Sequence, residues 1–395
     1  MGREMKNNRL KLGWLLAGNL ISSTGMSFIW PLTTVYMHDY LGKTLALAGM
    51  VLLIESLIMI VGSYVGGRLY DNGKGHFWML FTIAMSALAL LALIFCNGWP
   101  AYPLLLIING FTGAIANTII NALAASIKEF DASYIFNMMY FMANLGVVIG
   151  TLVVGFVVSI NIRYIFLVTA ILYIIFFLIA ATKYSFENTQ IVKNKSITKR
   201  KLNKKTPIGN ILVIGGVLMT YLMIQIGYSQ WQSNLSVYMQ SLGIGLNKYS
   251  YLWTINGIIV VIGQPIIAFF DRRKPVNYFK KVYIGYGIFI IAFTSLVFAR
   301  DYTHFIVSMV LVTFGEVIAF PIIPAIVDDL SSDSERGKYQ GFVSISASLG
   351  HAMGPLLGGL IIGGFSYDVL FEIMVLLVMI FTCLSMGITY FKLKK

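Results

Sequence analysis

Long apolar runs separated by short polar segments make up nearly the whole chain. Each run has the length of an α-helix that crosses the hydrocarbon core of a bilayer, about 20 residues. The runs predict twelve transmembrane helices, over residues 12–37, 45–69, 77–97, 101–127, 135–160, 163–183, 209–236, 248–270, 281–299, 302–327, 339–364 and 369–391. The expected fold is therefore an all-α integral membrane protein.

One polar stretch, rich in lysine and arginine, divides these runs into two sets of six. We predict an N-terminal six-helix lobe over residues 1–183, a cytoplasmic basic linker over 184–208 and a C-terminal six-helix lobe over 209–395. A repeated glycine pattern supports two pseudo-symmetric lobes. Ala143-Asn-Leu-Gly-Val-Val-Ile-Gly-Thr-Leu-Val-Val-Gly155 recurs 204 residues later as Ala347-Ser-Leu-Gly-His-Ala-Met-Gly-Pro-Leu-Leu-Gly-Gly359. An apolar chain with such a repeat is typical of secondary transporters, which bind substrate between the halves.

The glycines of the repeat are spaced by four residues and therefore share one face of a helix. Because they lack side chains, they allow close approach of neighbouring helices in lipid. We interpret them mainly as packing positions, with direct substrate contact as the alternative.

Composition agrees with a membrane location. The chain is 58% hydrophobic and 11% charged, whereas soluble domains have roughly 25% charged residues. Its net charge of +13 lies in short loops, which indicates the positive-inside rule rather than a nucleic-acid surface. With both termini in the cytoplasm, the outer side keeps only Lys43, Arg163, Lys248 and Arg300. We expect a multi-pass protein of the cell membrane whose first apolar run is retained as a span.

Two acidic residues lie inside apolar runs. Glu316 is in the middle of span ten, where an ionised carboxylate facing lipid costs about 2.5 kcal/mol or more. We therefore expect it to face the protein interior or a wet cavity and to bind and release protons. Glu55 shares a helix face with Gly62 and Gly66, so it also points into protein, where it is a candidate for proton coupling or cation binding. For each, the alternative is a structural hydrogen bond.

Repeated charges at the ends of spans two and eight suggest a conformational switch, formed by Arg68, Asp71 and Asp271. Polar and aromatic residues of several spans are candidates to line a soft, largely apolar cavity for a bulky amphipathic substrate, namely Asn19, Trp30, Asn117, Tyr228, Gln230, Trp231 and His351. For His351, packing and proton relay both remain open. Phosphate-loop and metal-ligand spacings are absent from the sequence, so we expect neither an enzyme nor a bound metal or cofactor.

Three segments resemble the major facilitator superfamily. Gly67-Arg-Leu-Tyr-Asp71 resembles its signature between spans two and three, although Asn72-Gly-Lys-Gly-His76 departs from the usual basic continuation. Gly350-His-Ala-Met-Gly-Pro-Leu-Leu-Gly-Gly359 is similar to the antiporter motif. Phe314-Gly-Glu-Val317, followed by Pro321, looks like the LmrP and MdtH type of multidrug:proton antiporter.

The resemblance implies that Glu316 takes part in recognising cationic drugs and in proton coupling, and that Asp71 acts as a conformational switch. Our hypothesis from the sequence is proton-coupled efflux of lipophilic or cationic small molecules by alternating access. The expected partners are an amphipathic substrate, protons and the lipid bilayer, with no nucleic acid, and the expected state is a monomer. An importer, a lipid-linked flippase and a non-transporting membrane receptor or scaffold remain alternatives.

Overall fold

A computed structural model of the chain describes residues 2–29, 32–127, 132–157, 163–184, 205–271, 277–332 and 335–393. Within these ranges helices are the only regular elements. The α-helices are α1 (Gly2–Ile29), α2 (Leu32–Val35), α3 (Leu45–Leu69), α4 (Gly75–Phe95), α5 (Ala101–Ala125), α6 (Ala132–Val157), α7 (Arg163–Lys183), α8 (Ile208–Gln232), α9 (Asn234–Ser241), α10 (Leu246–Asp271), α11 (Tyr278–Val297), α12 (Tyr302–Ala319), α13 (Ile322–Leu330), α14 (Arg336–Gly364) and α15 (Tyr367–Leu393). Two π-helical turns, Tyr36–Tyr40 and Tyr70–Lys74, follow α2 and α3. The predicted all-α class is confirmed.

The described part of the chain holds 11 stretches long and apolar enough to cross a bilayer. One of them, Leu45–Phe95, contains two helices, α3 and α4, so twelve spans result. Large apolar side chains on α3 are exposed, among them Leu57, Ile60 and Val61. Outward-facing apolar residues of this kind suit contact with lipid, because lipid tails are themselves apolar.

A π-helical turn, Tyr70–Lys74, joins α3 to α4 and contains Asp71. Gly73 adopts φ 75° there, a left-handed conformation that glycine tolerates because it has no Cβ. The Tyr70 hydroxyl donates to the Ala122 carbonyl at 3.5 Å and so ties the turn to α5. The motif around Asp71 thus specifies a sharp reversal of the chain.

Contacts between Cα atoms divide the chain into two units. Unit 1 comprises Met1–Tyr36, Val51–Asn194 and Leu246–Gly257, and unit 2 comprises Met37–Met50, Lys195–Gly245 and Ile258–Lys395. Each unit therefore contains a short segment from the other half of the sequence. The lobe boundaries expected from the sequence, 1–183 and 209–395, stay a prediction, and residues 185–204 of the expected linker lie outside the described ranges.

In unit 2, the start of α3 packs on α14 through glycines. A methyl group added to Gly49 would lie 2.5 Å from the Cα atom of Leu356, and one added to Gly359 would lie 2.6 Å from the carbonyl carbon of Leu45. Real Cβ atoms do not approach that closely, so this contact requires residues without side chains.

In unit 1, the start of α10 packs on α6. The hydroxyl oxygens of Thr151 and Thr254 lie 2.9 Å apart in a buried hydrogen bond. Gly257 faces the side chain of Val148. The first turns of α10 therefore contact a helix from the other half of the sequence.

The repeated glycine segments pack in the same way in both halves. A methyl group added to Gly150 would lie 2.7 Å from the Thr24 carbonyl oxygen, and one added to Gly354 would lie 2.9 Å from that of Ile226. At both places a serine hydroxyl, from Ser27 or Ser229, donates to the same carbonyl. The α6–α1 and α14–α8 contacts are thus two copies of one arrangement, which agrees with the packing interpretation of the repeat.

Two predicted spans are interrupted. Span ten, predicted over 302–327, is divided into α12 and α13 at Phe320 and Pro321, and span seven, predicted over 209–236, ends as α8 at Gln232. Proline has no backbone N–H and cannot continue the hydrogen-bond pattern of α12. Pro265 and Pro355, in contrast, lie inside continuous helices.

The N-terminus of α14 is tied to the segment that precedes α8. The backbone N–H of Thr206 donates to Glu335 Oε2 at 2.9 Å. Hydrogen bonds from Thr206 favour the carboxylate and hold the pKa of Glu335 below its ordinary value. The contact ties the residues just before α8 to the residue just before α14.

Candidate functional site

Glu316 is a buried carboxyl group near the end of α12. The hydroxyl group of Tyr228, on α8, donates a hydrogen bond to Glu316 Oε2 at 3.0 Å. Next to it, Gly315 allows the Phe289 ring to approach, because a methyl group at Gly315 would lie 2.9 Å from that ring. The acid therefore lies inside unit 2 and faces α8 rather than lipid.

Aromatic rings surround this hydrogen bond. The Phe320 ring lies 6.0 Å from that of Tyr228 and 5.2 Å from that of Tyr221, measured between centroids. The half-buried imidazole of His351, on α14, makes an edge contact with Tyr228 at 6.1 Å. We call these five residues, Glu316, Tyr221, Tyr228, Phe320 and His351, the Glu316 cluster.

The Glu316 cluster combines one acid with the faces and edges of several rings. Aromatic faces attract cations, and a carboxylate attracts them more strongly. Such a combination can hold an organic cation or a proton at the same carboxyl group. Sequence reasoning singled out Glu316, Tyr228 and His351 but gave no sign of Phe320, whose role depends on the end of α12 at Pro321.

Gln230 and Trp231 are buried in the packing of α8. The Gln230 side chain donates to the carbonyls of Ile226 at 3.0 Å and Gly354 at 2.8 Å, and accepts from Asn234 at 2.7 Å. Its amide joins α8 to α14 beside the repeated glycines. In this structure the polar atoms of Gln230 are used in helix contacts.

Glu55 belongs to unit 1, whereas Glu316 belongs to unit 2. Glu55 is half-buried on α3, and its side chain contacts Gly110 of α5. A methyl group on Gly110 would lie 2.9 Å from its Cγ atom. Gly62 and Gly66, on the same face of α3, likewise pack closely on α5.

Unit 1 also contains a cavity of about 290 Å³ whose lining includes Asn19 and Asn117. Asn19 donates to the Met139 carbonyl at 2.5 Å, and Asn117 is exposed. Trp30, the remaining predicted lining residue of the first span, lies outside the described ranges.

The predicted switch residues lie at helix ends. Arg68 is exposed, and its guanidinium group lies 4.6 Å from the ring centroid of Tyr64. Asp71 is exposed in the turn after α3. Asp271 is the last residue of α10, and its side chain is outside the described part of the chain.

A protein-family model described as "Major Facilitator Superfamily" matches residues 15–304 and 279–395. The chain belongs to the major facilitator superfamily. It is accordingly a multi-pass membrane transporter of the secondary type, as the repeat and the twelve spans indicated.

Curated relatives extend over nearly the whole chain. The uncharacterized MFS-type transporter YttB of Bacillus subtilis (strain 168) is 35% identical, with 96% of this chain and 94% of the relative covered. A Na(+), Li(+), K(+)/H(+) antiporter of Planococcus maritimus is 23% identical, with 86% and 87% covered. The multidrug resistance protein MdtH of Salmonella arizonae (strain ATCC BAA-731 / CDC346-86 / RSK2980) is 20% identical, with 91% and 88% covered. The resemblance to transporters of the MdtH type is confirmed, at 20% sequence identity.

Among solved structures, that of the nucleoside transporter NupG is similar with a TM-score of 0.77 and 15% sequence identity. The match covers 96% of this chain and 98% of NupG. At this identity the likeness shows the fold alone.

Proposed function

We propose that this transporter exports lipophilic organic cations in exchange for protons, and that both bind at Glu316. The observation that carries the proposal is the buried Tyr228–Glu316 hydrogen bond inside a group of aromatic rings. A lipophilic cation matches both parts, since its charge suits the carboxylate and its apolar body suits the rings.

Exchange follows from charge balance at this one acid. The negative charge of a carboxylate held away from water is costly, so the carboxyl group of Glu316 favours binding a proton or an organic cation. A bound proton removes the negative charge that attracts the organic cation. The two ligands therefore compete, and release of one favours binding of the other, which is the requirement for antiport.

The remaining parts of the cycle are those expected of alternating access. We place both termini in the cytoplasm and the protein in the cell membrane, following the distribution of basic residues. The predicted lobes would rock about the substrate, with Arg68, Asp71 and Asp271 stabilising one of the two states. Proton entry from the outer side would then displace the exported cation.

The test compares wild-type protein with Glu316→Gln in proteoliposomes, with tetraphenylphosphonium as the cation and an imposed proton gradient. Glutamine keeps the shape of the side chain but removes its charge. Hydrogen bonds and contacts to charged groups are worth about 1.5–3 kcal/mol, so we expect gradient-driven flux to fall roughly 10- to 100-fold. Glu372→Gln is the matched control, because Glu372 is exposed on α15.

Three results would count against the proposal. Unchanged gradient-driven flux in Glu316→Gln would show that Glu316 binds neither the proton nor the organic cation during transport. Movement of sodium or potassium without any movement of the organic cation would show that the substrates are alkali-metal cations and not organic cations. Absence of flux for every solute tried would favour a receptor or scaffold.

A further inference from the structure

One side of α14 is polar, although this helix is long and apolar enough to cross a bilayer. Ser344, Ser348 and His351 have the spacing i, i+4, i+7, which places them on the same face of the helix. Both serines are exposed, and His351 is half-buried. We call these three residues the polar face of α14.

The polar face differs from a second exposed side of the same helix. Ile345, Leu349 and Met353 are also exposed, and each follows a residue on or near the polar face, about 100° further around the helix. Their apolar side chains suit contact with lipid tails. Polar side chains within a span instead face the protein interior or a water-filled space. The polar face of α14 is therefore turned towards water or a ligand.

The hydroxyl groups of the polar face agree with this orientation. Serines on other spans, such as Ser56 and Ser250, donate to the backbone carbonyl four residues earlier, which satisfies the hydroxyl without water. Within the described part of the chain, the hydroxyls of Ser344 and Ser348 make no hydrogen bond. Water or a bound solute is left to supply their partners.

His351 brings this face to the Glu316 cluster. Among the described residues its ring nitrogens have no hydrogen-bond partner, and neither nitrogen is one of the enclosed unpaired polar atoms. Both nitrogens therefore keep accessible surface. A neutral imidazole has one N–H donor and one nitrogen acceptor. His351 can thus bond either an acceptor or a donor of a ligand.

Tyr228 lies between His351 and Glu316 and touches both. Its hydroxyl group donates to Glu316 Oε2 at 3.0 Å, and its ring makes the edge contact with the imidazole, with ring centroids 6.1 Å apart. The carboxyl and imidazole groups are thus separated by the side chain of one tyrosine. A ligand whose charge lies at Glu316 reaches His351 with a group several atoms away from that charge.

We infer that the exported cation carries an uncharged hydrogen-bonding group, such as a hydroxyl, which binds the imidazole of His351. The inference rests on the proposed export of cations at Glu316 and narrows their chemical class. The charge of the substrate binds the acid, its apolar body binds the rings, and its neutral polar group binds His351 beside the serines of the polar face.

The test uses permanent cations that differ in one group. They are hydroxyethyl, hydroxypropyl and hydroxybutyl triphenylphosphonium, each compared with the ion in which a methyl group replaces the hydroxyl. Displacement of radiolabelled tetraphenylphosphonium from the full chain in lipid nanodiscs measures each Kd. A hydroxyl group weakens binding to a purely apolar site. At the chain length that reaches His351, we instead expect binding about tenfold tighter than for the methyl ion, or about 1.4 kcal/mol.

Two histidine variants locate the effect. His351→Phe keeps an aromatic ring against Tyr228 but removes both nitrogens, so the preference for the hydroxyl should disappear while the Kd of tetraphenylphosphonium stays the same. His304→Phe is the matched control, because His304 is exposed near the start of α12 and bonds to Asp301. It should keep the preference. Equal thermal unfolding midpoints show that the variants remain folded.

Cysteine labelling tests the orientation of the polar face. With Cys96 and Cys383 replaced by serine, Ser348→Cys is compared with Leu349→Cys, its neighbour on the apolar side. A thiol reacts as the thiolate, which needs water. A charged methanethiosulfonate reagent should therefore modify Ser348→Cys and leave Leu349→Cys unmodified.

Three outcomes would overturn the inference. They are equal or weaker binding of the hydroxyl ion at every chain length, a preference that persists in His351→Phe, and no labelling of Ser348→Cys. If Glu316→Gln abolishes tetraphenylphosphonium binding but no hydroxyl preference appears, this inference fails and the export proposal stands. If tetraphenylphosphonium does not bind the wild-type chain, or binds Glu316→Gln equally well, the export proposal fails and this inference fails with it.

Discussion

At Glu316, two neighbours in the sequence determine what surrounds the carboxyl group. Gly315 lets the Phe289 ring pack against α12, and Pro321 ends that helix one turn beyond the acid. The end of the helix places Phe320 between the rings of Tyr221 and Tyr228. The aromatic surroundings of the acid thus depend on residues that carry no charge.

The contribution of the Tyr228 ring can be separated from that of its hydroxyl group. Tyr228→Phe keeps the ring and removes the donor, whereas Tyr228→Leu removes both. Cation–π contacts in a desolvated site are worth about 2 kcal/mol, so we expect Tyr228→Leu to raise the Kd of tetraphenylphosphonium roughly 30-fold. Tyr228→Phe should raise it less, and equal losses in the two variants, measured by isothermal titration in detergent, would contradict a role for the ring.

At the scale of helices, the repeated glycine segments produce the same close contact twice. In each case the glycine accommodates a serine that is already bonded to a carbonyl of the preceding turn. Larger residues have no room there, although other glycines of the same helix are free of neighbours. The effect of replacing a glycine therefore depends on whether that glycine lies in the helix contact, and not on how many glycines the helix contains.

Alanine substitutions in α14 test this statement. Gly354→Ala adds a methyl group 2.9 Å from the Ile226 carbonyl and against Ser229, and overpacking of this kind costs about 1–3 kcal/mol. Gly363→Ala meets nothing within 4 Å and should be neutral or slightly stabilising. Thermal unfolding in detergent should show a lower midpoint for Gly354→Ala, partly restored by adding Ser229→Ala. Equal midpoints for the two alanine variants would refute the contact.

Sequence alone predicted the number of spans and, where charged residues bound an apolar run, their ends. Arg163 and Lys183 mark both ends of α7, as expected. Hydropathy could not predict the interruption at Pro321, because Pro265 and Pro355 are tolerated inside helices of the same chain. Whether a proline interrupts its helix therefore depends on the tertiary contacts around it.

The candidate site was predictable only in part, for a similar reason. An acid inside an apolar run is visible in the sequence, and so Glu316 was found. Its partner Tyr228 is 88 residues away, and no spacing rule joins two helices at that separation.

For the whole molecule, contacts between the two halves of the sequence would have to open and close if transport proceeds by alternating access. The start of α10 bonds to α6 through Thr254 and Thr151, and the start of α3 packs on α14 through Gly49. These contacts hold one arrangement of the chain. A covalent bond across them should stop transport.

A disulfide bond provides that test. With Cys96 and Cys383 replaced by serine, Thr151→Cys with Thr254→Cys places two sulfur atoms where hydroxyl oxygens are 2.9 Å apart. Oxidation should form the bond, whose sulfur atoms lie about 2.05 Å apart, and should abolish flux until a reductant is added. Ser295→Cys with Ser308→Cys joins α11 to α12 within the second half, from hydroxyls 2.5 Å apart, and should leave flux intact. Full flux in the oxidised first pair would contradict an opening at this contact.

The Gly49–Leu356 contact also constrains how the protein is made. Its two residues are separated by about 300 positions, which ribosomes translate in roughly 15–60 s at 5–20 residues per second. During that interval the first turns of α3 have been synthesised but cannot yet have their native neighbour. Their glycine surface must meanwhile be covered by lipid, by another nascent helix or by the insertion machinery. Assembly at this end of the protein is therefore completed only when α14 has entered the membrane.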